Sequence, residues 1–500
     1  LYSTRRIYYM KKRMLALIMT TLLSASMLAG CASSQSGSAT SQSTDQSTDT
    51  AAAAETATAE TTGSAAEDVS ADISDGGKVI NIWSWNDEFE QRFNKYYPEV
   101  QDVSKDGTQT TLKDGTVVRW TINPNQNGVY QQKLDEALKN QGTADADDKI
   151  DLFLAETDYL VKYIDSDINV AVPLKALGID PDTDMADQYQ YTKDAATAKD
   201  GTIRATSWQA CPGLFVYRRS IAKAVFGTDD PDQVQEKVKD WDTFENSAAE
   251  LKDKGYKMLS SMGADTYRVF ANNTSGKWVD DGSTVVRVDP NLMKWVAQSK
   301  EFTDKGYNNK VSGQWTDDWN KDQGADSKVF GWFFPAWGIN FTIQPNTGDA
   351  GKGDWAVCQG PEAYNWGGSF LIACQGTDNA SQDADIMKKL TMDKDILLAI
   401  TNDTLDYTNT VSGMRALAED DSYKSDFLGG ENPYKYFAPA AESIKMDKIT
   451  PYDQGCTECF QNAFGDYFNG QVSLDKAKEN FETAIKQRYP ELTSVEWPSD

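Results

Sequence analysis

Histidine is absent from all 500 residues. That removes Ser-His-Asp and Cys-His catalysis, which rely on an imidazole that titrates near neutral pH. It also removes the imidazole ligands of most catalytic zinc and non-haem iron sites. Positive charge is in short supply: 49 Lys and Arg face 76 Asp and Glu, a formal net charge of −27. Such a field repels phosphate backbones and anionic surfaces, so no nucleic-acid partner is expected. Walker A, dinucleotide-binding and GxSxG motifs are missing, and with them three common routes to phosphate, nicotinamide and acyl chemistry. Asp145-Ala-Asp-Asp148 and Asp180-Pro-Asp-Thr-Asp184 are acidic loops that lack the glycine a calcium turn needs. Neither a metal nor a cofactor is expected.

Long apolar runs are scarce too. The one near the start, Met14 to Leu23, carries Thr20 and Thr21 and is short for a bilayer span. Met10-Lys-Lys-Arg13 precedes it and small residues follow, the layout of an export signal, with Met10 as the expected start and residues 1–9 as upstream extension. Leu28-Ala29-Gly30-Cys31 resembles the bacterial lipobox. Cys31 is therefore the expected lipidation site, and a diacyl anchor supplies the two chains that stable membrane attachment takes. Residues 32–77 contain no Lys or Arg, and apart from alanine only Val69 and Ile73 are aliphatic. That composition cannot offset its ordering entropy, so 31–77 reads as a tether with a reach of about 40 Å.

Five cysteines remain: Cys211, Cys358, Cys374, Cys456 and Cys459. The odd number leaves at least one unpaired within the chain. The lone Cys456-x-x-Cys459 fits either a local disulfide or two buried thiols, and without histidine it has few partners for a zinc site.

Aromatic residues are plentiful, with 14 Trp and 22 Tyr. At 39% hydrophobic and 25% charged residues the chain reads as globular, and its length calls for at least two lobes. Lys78 to Trp85 is β-branched and aromatic and predicts a strand. Phe89, Phe93 and Tyr96 or Tyr97 follow at helical spacing until Pro98, with Asn86 as a cap. Tyr130, Leu134 and Leu138 mark a second helix, and Ile150 to Ala155 a second buried strand. Strand, helix, strand is the parallel α/β pattern. Later helices are expected around Trp241–Leu251, around Leu292–Phe302 ending near Gly306, and from Ser473 to before Pro490.

Four aromatic stretches fall at strand ends or turns: Trp83-Ser-Trp-Asn-Asp-Glu88, Trp208-Gln209, Phe330 to Asn340, and Tyr364-Asn-Trp-Gly-Gly-Ser369. Ligands of open α/β sheets bind beyond the carboxyl ends of strands. A pyranose offers an apolar C–H face to a ring and an equator of hydroxyls to acids and amides. A single tryptophan is more often core than contact; four such stretches beside Gly, Asn, Asp or Gln point to a carbohydrate.

The order of these marks resembles the extracellular solute-binding proteins of family 1, the group that includes maltodextrin-binding proteins. The resemblance runs from Lys78 to about Pro490. It rests on Ile82-Trp-Ser-Trp-Asn-Asp87, Ile150-Asp-Leu-Phe-Leu154, Ser207-Trp-Gln-Ala-Cys-Pro-Gly213, Tyr217-Arg-Arg-Ser220, Gly331 to Asn340, Gly353-Asp-Trp-Ala-Val357 and Pro451-Tyr-Asp-Gln-Gly455. It implies an α/β, two-lobed periplasmic-binding-protein-like fold with three hinge crossings, near 209, 368 and 413. Lobe 1 would be 78–209 with 369–413, and lobe 2 would be 210–368 with 414–500. Ligand would sit between the lobes, which close on it. By correspondence the first lobe offers Trp83, Trp85, Asn86, Asp87, Glu88, Glu156 and Asp158. Trp208 and Gln209 stand at the first crossing. The second lobe offers Asp265, Tyr267, Arg268, Trp337, Asn340, Trp366, Asp453 and Gln454. Asn-Asp-Glu stands in the first strand where maltodextrin binders carry a different charged pair, so maltose specificity is not implied.

The expected protein is thus a non-catalytic, monomeric, lipid-anchored receptor on the outer face of the cell membrane, handing a carbohydrate to an ABC permease. Two other readings stay open. A surface glycoside hydrolase needs only two carboxylates, for which Glu88, Glu156 and Asp158 are candidates. A receptor for a polyamine or peptide could use the same acids and rings through cation–π contacts.

Overall fold

The computed structural model describes residues 71–499. The expected export signal at 1–30, the lipidation site Cys31 and the tether as far as residue 70 lie outside the described residues. The last stretch of the expected tether, 71–77, is fastened to the globular part. Ser74 N–H donates to Thr377 O at 3.0 Å, Gly77 N–H to Asp378 O at 2.9 Å, and Ile73 packs on the first-lobe core. The aliphatic side chain supplies what the polar residues before it lack.

The first sheet begins with β1 (Val79–Ser84), β2 (Val100–Val103), β3 (Gln109–Leu112), β4 (Val117–Ile122), β5 (Leu152–Glu156) and β6 (Thr206–Ser207). The chain then enters a second sheet at β7 (Pro212–Arg218), every residue of which is buried. Two short strands, β8 (Leu259–Ser261) and β10 (Asn308–Val311), pair in parallel, and β9 (Val285–Arg287) pairs with the last strand near the C-terminus. β11 (Gly331–Pro335), β12 (Trp355–Cys358) and β13 (Tyr364–Asn365) all run antiparallel to β7. β14 (Ser369–Ala373) returns to the first sheet, and β15 (Ser494–Glu496) ends the chain beside β9. The first sheet has the order β2-β3-β4-β1-β5-β14-β6. Its β1 is parallel to both β4 and β5, so the loops after β1 and β5 leave the same edge together.

Each sheet is covered by helices whose boundaries follow from local chemistry. The helix Glu88–Tyr96 buries Phe89 and Phe93, and Asn86 Oδ1 accepts from Glu88 N–H at 3.2 Å. The helix Trp241–Asp253 carries a capping box between Asp240 and Thr243. Pro290–Lys305 starts on Asp289 and Pro290 and stops at Gly306, whose φ of 71° takes the left-handed cap. Leu474–Arg488 starts on Ser473, whose side chain accepts from Lys476 N–H. Ile80, Ile82, Leu152 and Leu371 centre the first-lobe core, while Leu214, Phe215, Phe333 and Trp355 belong to the core around the second sheet. A third cluster joins Trp295, Phe460 and Phe481 in the second lobe.

Three crossings join the lobes. The chain leaves the first sheet between β6 and β7 and re-enters it between β13 and β14. It leaves again after the helix Lys394–Thr404, to reach the helix Val411–Glu419. That helix packs on Tyr434–Ser443, which lies against β7. Gln209 binds the three crossings together. Its Oε1 accepts from Ser369 N–H at 3.0 Å, its Nε2 donates to Asp406 Oδ2 at 2.8 Å, and its backbone bridges to Thr408. At the second crossing Gly367 and Gly368 take φ of 85° and 115°, which only glycine adopts readily. A Cβ on Gly367 would sit 3.4 Å from both Glu156 Oε1 and Trp337 Nε1, so the first-lobe acid and the second-lobe indole close on one bare point of backbone.

Candidate functional site

Helix N-termini and strand ends from both lobes meet in a cleft of ≈ 350 Å³. The first lobe contributes Trp85, just past β1, and Glu156, Thr157 and Asp158 at the end of β5 and the start of the helix Thr157–Ile164. The second lobe contributes Tyr267 and Arg268 from the helix Ala264–Asn272, and Asp453 and Gln454 from the first turn of the helix Asp453–Phe468. Carboxylates in a first turn are favoured by the helix dipole, which is why the acids collect at these ends.

An ion pair spans the cleft. Arg268 Nη1 and Nη2 donate to Asp158 Oδ1 and Oδ2 at 2.7 and 2.5 Å, a bidentate fork between the lobes. Burial works against the Asp158 anion, but the guanidinium outweighs it and holds the carboxyl below its usual range. Glu156 behaves in the opposite way. Burial, then the neighbouring Asp158 charge, pushes its carboxyl up from 4.5 to about 8, although Arg268 opposes the shift. Its Oε2 accepts from Asp158 N–H at 2.8 Å, capping the helix. Asp453 is raised to about 7 by burial, against hydrogen bonds from Thr450 N–H and Oγ1. Of these three carboxyls, Asp158 is thus held as the anion, while Glu156 and Asp453 keep their protons to higher pH than free carboxyls do. That set can donate as well as accept, which suits vicinal hydroxyls.

Of the residues singled out from sequence, Trp85, Glu156, Asp158, Tyr267, Arg268, Asp453 and Gln454 line this cleft together. Trp85 presents its ring edge-on to Tyr130 and Tyr159, at 5.8 and 6.1 Å, and is fixed rather than loose. Tyr267 is largely buried, its hydroxyl 3.1 Å from Thr457 Oγ1.

The others lie elsewhere. Trp83 packs on the core beside Trp85 but is not in the cleft wall. Asn86 is spent on capping Glu88 N–H, and Asp87 stands at the helix start. Glu88 receives Gln209 Nε2 at 3.1 Å, and burial, then Asp406, raises its carboxyl to about 7. Three of the expected residues are buried away from the cleft wall. Trp208 is a core residue, 1% exposed and stacked on Phe89 at 5.2 Å. Gln209 is a buried hinge staple. Asp265 is buried and accepts from Ser260 N–H, Ser261 N–H and Trp319 Nε1, which leaves it holding loop and helix in place.

Trp337, Asn340 and Trp366 form a neighbouring aromatic group instead of lining the cleft. Trp337 Nε1 donates to Trp366 O at 3.1 Å, and Asn340 Nδ2 reaches Thr404 O of the first lobe at 3.1 Å. Trp366 is 5% exposed, yet Arg268 sits 5.1 Å from its ring centroid, so it touches the cleft from behind. Sequence reasoning missed Tyr159, one position beyond Asp158, whose place after the β5 acids was a usable signal. It also missed the loop Lys445–Thr450, which is ordinary polar sequence and gave none.

The five described cysteines are all free thiols, with Cys459 alone not fully buried. Among the described residues no cluster of three or more acids or thiols could hold a metal ion. Nor is any helix there long and apolar enough to cross a membrane.

No protein-family model and no curated protein matches the sequence. Solved structures do. A crystal structure of an extracellular solute-binding protein of family 1 superposes with a TM-score of 0.65 at 17% identity, covering 83% of this chain and 100% of its own. An ABC-transporter-associated binding protein of B. animalis subsp. lactis, in complex with β-1,6-galactobiose, gives 0.62 at 17%, over 84% and 100%. The galacto-N-biose-/lacto-N-biose I-binding protein of Bifidobacterium longum gives 0.62 at 13%, again over 84% and 100%. The chain has the two-lobed α/β fold of the extracellular solute-binding proteins of family 1.

Proposed function

We propose that this chain is the substrate-binding component of an ABC importer, anchored through Cys31 outside the cell membrane, and that it binds a carbohydrate without transforming it. The observation that carries the reading is the cleft itself. Trp85, Glu156 and Asp158 of one lobe line it together with Tyr267, Arg268, Asp453 and Gln454 of the other. A ring beside acids that both donate and accept fits a sugar better than a fully charged solute. Neighbours of the same fold in complex with galactobiose and lacto-N-biose support the choice. In this reading the chain is a monomer whose lobes divide at 78–209 with 369–413 and 210–368 with 414–500.

A receptor must capture and also release, which places its affinity near micromolar, about −8 kcal/mol. In a thermal-shift screen of oligosaccharides, polyamines and peptides, at least one saccharide should raise Tm while spermidine and peptides do not. A shift with spermidine alone would replace the sugar by a cation.

One observation favours a hydrolase as the second reading. Glu156 and Asp158 have carboxyls driven in opposite directions, as an acid and a nucleophile would require. Both Asp158 oxygens, however, are engaged by Arg268. The receptor reading expects no new reducing ends from the bound sugar over hours of incubation; their release would make this an enzyme.

A further inference from the structure

The helix Asp453–Phe468 carries two free thiols three positions apart, Cys456 and Cys459. Cys456 is fully buried in the cluster of Trp295, Phe460 and Phe481, whereas Cys459 packs against that cluster and keeps part of its surface in solvent. Residues three apart on a helix share a face, and their Cα atoms lie about 5 Å apart. A disulfide spans Cα separations of about 4.4–6.8 Å. The two sulfurs are thus within bonding reach while the helix stays a helix.

The two residues that such a bond would enclose, Thr457 and Glu458, both line the cleft. Thr457 Oγ1 accepts from Tyr267 Oη at 3.1 Å, and Tyr267 precedes Arg268, whose guanidinium forks onto Asp158. Asp453 and Gln454, in the turn before, also stand in the cleft wall. One hydrogen bond and one peptide step separate the thiol-bearing turn from the inter-lobe ion pair.

Arg488 lies over the same turn. A Cβ at Gly455 would run into Tyr489 Oη and Arg488 Nε, and Arg488 pairs with Glu458. Burial raises the Cys459 thiol above its usual range, and the Arg488 guanidinium opposes the shift. Burial, then the Asp453 charge, raises Cys456 well above that range. Cys459 is the more accessible of the two and the one suited to attack.

We infer that Cys456 and Cys459 form a reversible dithiol–disulfide site for small organic disulfides, whose state is transmitted to the cleft through Thr457 and Tyr267. The Cys459 thiolate attacks one sulfur of the organic disulfide. That S–S bond breaks, and the other half leaves as a thiolate and takes up the proton that Cys459 gave. Cys456 then loses its proton and attacks the Cys459 sulfur, and the second half leaves as a thiol. The chain gives up two hydrogens and two electrons, and the organic disulfide becomes two thiols. In the proposed location outside the cell membrane, the pair meets such oxidants rather than a reducing pool.

The test treats the reduced full chain with oxidised glutathione under native conditions, followed by peptide mapping by mass and by amide hydrogen exchange. The peptide holding both cysteines should lose about 2 Da, and dithiothreitol should restore it. Cys211, Cys358 and Cys374 should stay thiols, being buried. Amides of 453–459 and 264–272 should exchange about threefold more slowly once the turn is cross-linked. In Thr457→Val the bond should still form, while 264–272 exchanges alike in both states. In Cys459→Ser, Cys456 should remain a thiol. A wild-type chain that keeps both thiols, or that carries glutathione on Cys459 without closing the bond, would overturn the site. A bond that forms but leaves exchange in 264–272 unchanged would overturn its link to the cleft. None of these outcomes depends on which solute the cleft binds.

Discussion

Glu156 shows how one residue's surroundings set what the site can do. It ends a strand whose other four residues are buried, its carboxylate caps the next helix, and Asp158 sits two residues on. Burial and that neighbour raise its carboxyl from 4.5 to about 8. In the folded protein Glu156 therefore holds its proton more tightly than in the unfolded chain. Its contribution to stability is complete below pH 4.5 and is lost as pH rises towards 8. Glu156→Gln removes this dependence, so between pH 5 and 8 the variant should lose less stability with rising pH than wild type does. Urea denaturation at several pH values measures it, and parallel curves would mean that Glu156 is not held as described. Its type and position were legible in the sequence, as an acid at a strand end. Its protonation was not, because desolvation depends on what the other lobe brings over it.

Elements were easier to read than sites. Helices announced by Phe89 and Phe93, by Leu292 to Phe302 with Gly306, and by Ser473 lie where caps and periodicity put them. The weak point was the meaning of an aromatic at a strand end. Trp83, Trp85 and Trp208 carry the same local signals, yet only Trp85 reaches the cleft. Trp208 turns inward onto Phe89 at the first crossing, a consequence of packing between the helix Glu88–Tyr96 and the sheet edge that no local pattern reveals. Trp208→Ala should thus act as a core deletion, costing about 3–5 kcal/mol in denaturant unfolding. A cost below about 1 kcal/mol would place the ring at the surface after all.

At the scale of the whole molecule, function depends on how the chain crosses between two lobes. Each crossing is short, and Gln209 ties all three by hydrogen bonds, beside buried apolar side chains that run from Phe153 of the first lobe to Leu214 and Phe215 of the second. The order of elements made the two-lobed fold readable, since strand, helix and strand recur before the chain changes sheet. The Arg268–Asp158 pair across the cleft was not readable as a pair, because its members lie 110 positions apart. Ring-bearing residues of one lobe and acids of both are brought within reach of a single guest only by that topology. The most direct measurement is the affinity of Trp85→Ala, against wild type, for the saccharide that shifts Tm most. The account predicts a loss of about tenfold or more, since Trp85 is half-buried and lines the cleft. Wild-type affinity in Trp85→Ala would contradict it.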